Sequence, residues 1–114
     1  MRQERSPLVT LRAGTMQLTV APDVGGSISR FASEHRGRMF DWMRPATQDA
    51  LANRSAGSTS SFPMVPFSNR IRNGRFRFRG RTIQLEQNFR PEPHAIHGHA
   101  WRHPWQIVDS SSTT

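Results

Sequence analysis

The chain contains no cysteine and no lysine. Without cysteine there is neither a disulfide scaffold nor a thiolate metal site. That absence says little about compartment, because a cytosolic protein has no need of disulfides. No apolar run approaches the ~20 residues of a membrane-spanning helix. The N-terminal stretch MRQERSPLVTLRAG has no apolar core of the kind a secretory signal needs. Cytoplasm is therefore the expected location, with no membrane partner. Proline and glycine, eight of each, are too few and too scattered for a low-complexity chain. No internal repeat is visible.

What is present is arginine. Sixteen basic residues face eight acidic ones in 114 residues, giving a formal charge of +8 and a pI near 11.9. The length allows one domain at most, with one modest core. The charge points to a polyanion partner. Codon bias in a GC-rich genome explains arginine in place of lysine, but not the excess. A chain that is part of a longer protein, with the balancing acids elsewhere, explains it.

Alternation of apolar and polar residues marks the strands. Leu8–Arg12 and Met16–Val20 alternate around Ala13-Gly14-Thr15 and read as a hairpin, with Leu18 and Val20 on one face and Gln17 and Thr19 on the other. Ala21–Gly26 is a turn, and Ser27–Phe31 a third strand. Thr47 caps at most one helical turn through Ala52. Ser55–Ser61 is a loop. Phe62–Phe67 (FPMVPF) is extended chain expected to pack under something, because its two prolines bar it from a central strand or a helix interior. Arg75–Arg79 alternates strictly, and Gly80-Arg81 turns it into Thr82–Leu85. This predicts a hairpin with one buried phenylalanine face and one wet arginine face. Residues 86–93 read as loop, and Gln106–Val108 begins a further strand. The total is about six short strands and no convincing helix, an all-β pattern.

Three constellations carry chemistry. Four of the five histidines, His94, His97, His99 and His103, lie within ten residues. On a strand, His97 and His99 would share a face, as metal ligands must. The acidic partner that metal sites place nearby is missing, so no metal is expected; surface or backbone-satisfying roles suit His94, His99 and His103 better. The arginine stripe Arg75, Arg77, Arg79 and Arg81 interleaves with Phe76 and Phe78 in the manner of a single-strand nucleic-acid platform. Opposed faces argue against it, since bases cannot stack on rings that point away from the arginines. A solvated sheet face is the better reading, and nucleic acid is not the expected partner. The third is Phe67-Ser68-Asn69-Arg70. An amide and a planar fork of donors, adjacent in a loop, can both address vicinal hydroxyls of a sugar.

Taken together, Gly25-Gly26-Ser27-Ile28 after Pro22-Asp23, FPMVPFSNRIRNGRFRFRGRTIQL at 62–85, and AIHGHAW at 95–101 with Pro104-Trp105 resemble the N-terminal part of aldose 1-epimerases (galactose mutarotases). The resemblance covers roughly residues 8–108. It implies an antiparallel β-sandwich of the galactose mutarotase-like supersandwich type, of which this chain is an incomplete N-terminal portion, residues 1–114 being part of a single domain. It implies an enzyme without cofactor that interconverts the α and β anomers of an aldose, a hexose such as galactose or glucose. One group protonates the ring oxygen, another takes the anomeric hydroxyl proton, and both transfers reverse on reclosure. Asn69 and Arg70 match the family's sugar-binding pair. His97 matches the active-site histidine of the His-Gly block, a catalytic and substrate-contacting position, and Trp101 a pocket wall. The family's acid histidine and base glutamate lie further downstream and have no counterparts here; Glu86 and Glu92 precede the His-Gly block. The expectation is one wall of a mutarotase site, inactive alone. The alternatives are a carbohydrate-binding or interaction module without turnover and a basic nucleic-acid-binding module.

Overall fold

A computed structural model describes residues 7–112. Residues 1–6 lie outside it, and with them part of the N-terminal stretch read for an export signal. The chain divides into two units. Unit 1 comprises residues up to Pro63 together with those from Trp101 onward, and unit 2 comprises Met64–Ala100.

Unit 1 is built on a four-stranded antiparallel meander, β1 (Val9–Ala13), β2 (Met16–Ala21), β3 (Ser27–His35) and β4 (Arg38–Asp41), paired in that order. The first hairpin forms as the alternation predicts. Ala13 pairs with Met16 across a Gly14-Thr15 link, with Gly14 at a φ of 58°. β3 runs four residues further than its sequence pattern and turns at Arg36-Gly37 into β4, a strand the sequence reading did not identify. Ser29 is the extra residue of a bulge, since Thr19 pairs with Arg30 and Val20 with Ile28. The Ser29 hydroxyl donates to the Thr19 carbonyl at 3.2 Å.

The register sorts the meander into an apolar and a polar face. Leu11, Leu18 and Phe31 form one row, and Ala13, Met16, Ser33 and Phe40 the next. Trp42 continues that face. Its indole N–H donates to the Ser33 hydroxyl at 2.9 Å, and its ring meets Phe40 edge-on at 4.7 Å. The opposite face carries a Thr10–Thr19 hydroxyl pair and an Arg30–Asp41 ion pair. The apolar face is largely uncovered: Leu11, Met16, Phe40 and Trp42 are each 47% to 59% exposed.

α1 (Gln48–Ala52) follows, capped as expected by Thr47, whose hydroxyl accepts the Ala50 N–H at 3.1 Å. Its Leu51 joins Phe62 and Trp101 against a small cluster of Ala21, Val24 and Ala56. Gly25 is obligatory here. It sits at a φ of 61°, and a Cβ would run into the Trp101 carbonyl and lie 2.9 Å from the Ala56 Cβ. Leu8, Asp23 and Leu51 are among the residues lining a cavity of about 230 Å³ in this unit. Gln106–Val108, expected as a strand, has no strand partner among the described residues, and Val108 is 95% exposed.

Unit 2 contains two short ladders. β5 (Arg70–Ile71) pairs antiparallel with β8 (Ala95–Ile96), and β6 (Arg75–Phe78) with β7 (Arg81–Gln84). The β6·β7 hairpin forms where the alternation places it, turning through Arg79-Gly80 with both residues at positive φ. Its faces differ from expectation. Phe76 and Phe78 are 40% and 57% exposed, and only Ile83 is half-buried, because within unit 2 no second layer packs on this hairpin. Residues 62–67 are extended and carry no strand, as the prolines require, but Met64 and Val65 are exposed rather than covered. Among the described residues, no helix is long and apolar enough to cross a membrane.

Candidate functional site

The β5·β8 ladder of unit 2 brings Asn69, Arg70 and His97 together. The strand segment of the histidine block ends at Ile96. His97 lies in the left-handed region at a φ of 57°, so it does not share a strand face with His99, and the ligand geometry imagined for a continuous strand is not formed. Instead His97 and Asn69 hold each other. The His97 N–H donates to the Asn69 carbonyl at 3.0 Å, and the Asn69 N–H donates to His97 Nδ1 at 2.8 Å. With Nδ1 as acceptor, the proton of the neutral imidazole sits on Nε2. Asn69 is also left-handed, at a φ of 65°, and its side-chain oxygen accepts the Arg70 N–H at 2.9 Å. That leaves its amide N–H groups to act as donors.

Two left-handed non-glycine residues in one contact cost of order 1–3 kcal/mol each and persist only where neighbours over-determine them. Two such neighbours are visible. Gly98 follows His97 at a φ of 67°, pressed so closely on the Val65 carbonyl that a Cβ there would collide with it. The same carbonyl accepts the N–H groups of His99 at 2.8 Å and Ala100 at 3.2 Å. Asn88 braces the segment from the other direction. Its amide N–H groups donate to the carbonyls of Ile96 at 2.7 Å and Gly98 at 2.8 Å, and its oxygen accepts the Ile96 N–H at 2.8 Å. Residues 86–93 read from sequence simply as loop, so this role was missed. The available signal was a loop asparagine just upstream of a His-Gly pair, a residue type that readily substitutes for missing backbone partners.

A second latch repeats the first. Asn73, left-handed at a φ of 53°, donates its N–H to His94 Nδ1 at 2.9 Å. His94 thus satisfies a backbone group, one of the two roles the sequence offered for it. Glu92 takes up Arg70: its two oxygens accept from Arg70 Nε at 3.0 and 2.9 Å, and Oε1 accepts from Nη2 at 2.6 Å. These hydrogen bonds, and the guanidinium charge, hold the Glu92 carboxyl below its ordinary range, with His94 adding to the effect. The reciprocal hydrogen bond raises Arg70.

Trp101, the fourth residue singled out in the sequence, belongs to unit 1. There it packs on the Ala21–Val24–Ala56 cluster, its ring 6.0 Å from that of Phe62. Among the described residues, no three histidine, aspartate, glutamate or cysteine side chains converge as metal ligands.

The sequence model of the family described as aldose 1-epimerase matches residues 7–114. The chain is 35% identical over 104 residues to the uncharacterized protein YphB of Escherichia coli K12, covering 91% of this chain and 33% of the relative. It is 42% identical over 52 residues to the uncharacterized protein YihR of the same organism, covering 45% and 17%. A crystal structure of an E. coli K12 protein, described provisionally as an aldose 1-epimerase, superposes with a TM-score of 0.75 at 35% identity, covering 92% of this chain and 33% of that one. The chain therefore spans about a third of the length of the relatives it matches most fully. On the family match across nearly its whole length and on the shared fold, the chain belongs to the aldose 1-epimerase family, as a portion of that family's antiparallel β-sandwich.

Proposed function

We propose that this chain is the N-terminal portion of a single aldose 1-epimerase-like domain and supplies one wall of its sugar site. The wall is Asn69, Arg70 and His97. The observation that supports it is the reciprocal Asn69–His97 pair with Arg70 beside it on β5. The Asn69 amide, the Arg70 guanidinium and the His97 Nε2–H are donors gathered by one short ladder. Neutral hydroxyl and ring oxygens of a hexose such as galactose or glucose are their natural acceptors. In this reading His97 donates to the ring region of the sugar, and Asn69 and Arg70 fix its hydroxyls.

Ring opening also needs an acid on the ring oxygen and a base on the anomeric hydroxyl, with separated pKa values. The chain has no counterpart of the family's downstream acid histidine and base glutamate. Glu92 is committed to Arg70. The proposed activity of these 114 residues alone is therefore sugar binding without turnover, in the cytoplasm. Polarimetric mutarotation of galactose and glucose tests this. The expected rate is the spontaneous one; an enzyme-level rate that His97→Ala abolishes would overturn the proposal. Galactose titration followed by NMR is expected to shift the amides of Asn69, Arg70 and His97. A second reading, an arginine-rich surface for nucleic acid, draws on the exposure of Arg75, Arg77, Arg79 and Arg81. Salt-dependent retention of single-stranded DNA, lost when these four become Gln, would favour it.

A further inference from the structure

We infer that Glu92 is a positioning residue that turns Arg70 from an anion-binding cation into a charge-compensated hydrogen-bond fork, setting the site for neutral rather than anionic sugars. This rests on the reading of Asn69, Arg70 and His97 as a sugar wall.

A guanidinium offers five N–H donors in one plane. The contact with Glu92 occupies Nε–H and one Nη2 N–H, which leaves three donors in a plane fixed at one edge. A lone arginine in a sugar site carries its full charge and favours phosphate or carboxylate, which it grips bidentately. Paired with a carboxylate, it keeps its outer donors while the pair as a whole carries no net charge, which suits a hydroxyl and penalises an anion.

Glu92 is itself held in place. Its N–H donates to the Phe89 carbonyl at 2.9 Å, and its carbonyl accepts the Gln87 amide at 3.1 Å. Two residues on, His94 is fixed by the Asn73 N–H. The pairing is also selective. In a chain of sixteen arginines and eight acids, the described residues contain two arginine–carboxylate ion pairs, Arg30–Asp41 and Arg70–Glu92. Of these, the Arg70–Glu92 pair is the bidentate one. The bidentately paired arginine is the one next to Asn69 in sequence and paired through β5 to the histidine block.

The test compares wild type, Glu92→Gln and Glu92→Asp. Each is titrated with galactose and with galactose 6-phosphate, following the amides of Asn69, Arg70 and His97 and the side-chain Nε–H resonance of Arg70. In wild type a dispersed, slowly exchanging Arg70 Nε–H and a preference for galactose are expected. In Glu92→Gln that resonance loses its protection. Galactose binding weakens roughly three- to tenfold, the cost of one side chain that must now be ordered on binding, and preference moves toward the phosphate. Glu92→Asp keeps the charge balance and the neutral preference. Unchanged β6·β7 hairpin amides in each variant exclude a folding defect. An unchanged galactose-to-phosphate ratio in Glu92→Gln, with wild-type galactose binding intact, overturns the inference alone. Absence of any sugar-induced shift in wild type overturns the sugar wall and the inference together.

Discussion

Asn69 and His97 lie 28 residues apart in sequence, and each uses its main chain to hold the other. Neither would adopt a left-handed conformation without help, so the residues that supply the help set the precision of the site. Asn88→Ala leaves the Ile96 N–H and the Ile96 and Gly98 carbonyls without this partner. A loss of about 1–3 kcal/mol is expected, read as faster hydrogen exchange at Ile96 and His97. Gly98→Ala adds a collision with Val65 to an unfavourable φ, and a loss of roughly 2–4 kcal/mol is expected from both effects, with the His97 amide moving out of its native position in the NMR spectrum. The Arg70–Glu92 pair gives stability a pH dependence. Because the folded carboxyl titrates below its ordinary unfolded range, the pair's contribution is complete above that range and disappears as pH falls through the lowered folded value. Hydrogen-exchange protection of the Arg70 amide in wild type and in Glu92→Gln should therefore converge in acid and separate toward neutrality. Asn69, Arg70 and His97 could be singled out from residue type and from family resemblance. For His94 the sequence offered a choice between surface and backbone-satisfying roles without naming its partner, and for Asn73, Asn88 and Glu92 it offered none. Their partners lie 8 to 22 residues away, and neither side chain–backbone bonds nor an ion pair between distant segments leaves a periodic trace in a sequence.

At the level of elements, hairpins whose two arms alternate were legible, and elements that depend on what lies against them were not. The β1·β2 and β6·β7 pairings follow directly from period-two runs joined by a glycine-containing turn. The short helix after Thr47 follows from its cap. By contrast, β4 has only four residues, all exposed, and is defined by its pairing with β3. The expected buried face of β6·β7 failed because alternation tells which side chains share a face, not whether another layer covers it. The histidine block is not a continuous strand, because a left-handed His97 ends it. The hairpin yields a discriminating prediction. Phe78→Thr is expected to change stability by less than about 0.5 kcal/mol, where burial of that ring would make the loss several-fold larger. Hydrogen-exchange protection of Arg77 and Thr82, paired across the hairpin, checks it.

For the whole molecule, the notable quantity is how little is buried. Among the described residues, the buried apolar ones are Ala21, Val24, Ala32, Ala50, Ala56, Ala95 and Ile96, five of seven being alanine, while fourteen large apolar side chains are exposed. Alanine burial contributes little, since the hydrophobic gain scales with the apolar area removed from water. The isolated chain is therefore expected to melt without a sharp two-state transition and to bind a hydrophobic dye. Replacing Leu11, Met16 and Phe40 together by Thr should reduce dye binding and light scattering while leaving the β-sheet circular dichroism unchanged. A sharp melt from a wild-type monomer would contradict this account. The charge of +8 is compatible with the same view, because a chain that spans a third of the length of its relatives need not share the charge balance of a full-length one. The Asn69–His97 latch carries a consequence for time as well as for energy. It can close only when a long stretch of chain has doubled back, and the β6·β7 hairpin lies inside that stretch. A hairpin forms in roughly 1–10 µs. Once formed, it takes ten residues out of the loop to be closed, lowering the closure cost by roughly 0.4 kcal/mol. A defect at Gly80, remote from any sugar contact, would then show itself as a latch that closes about twofold more slowly.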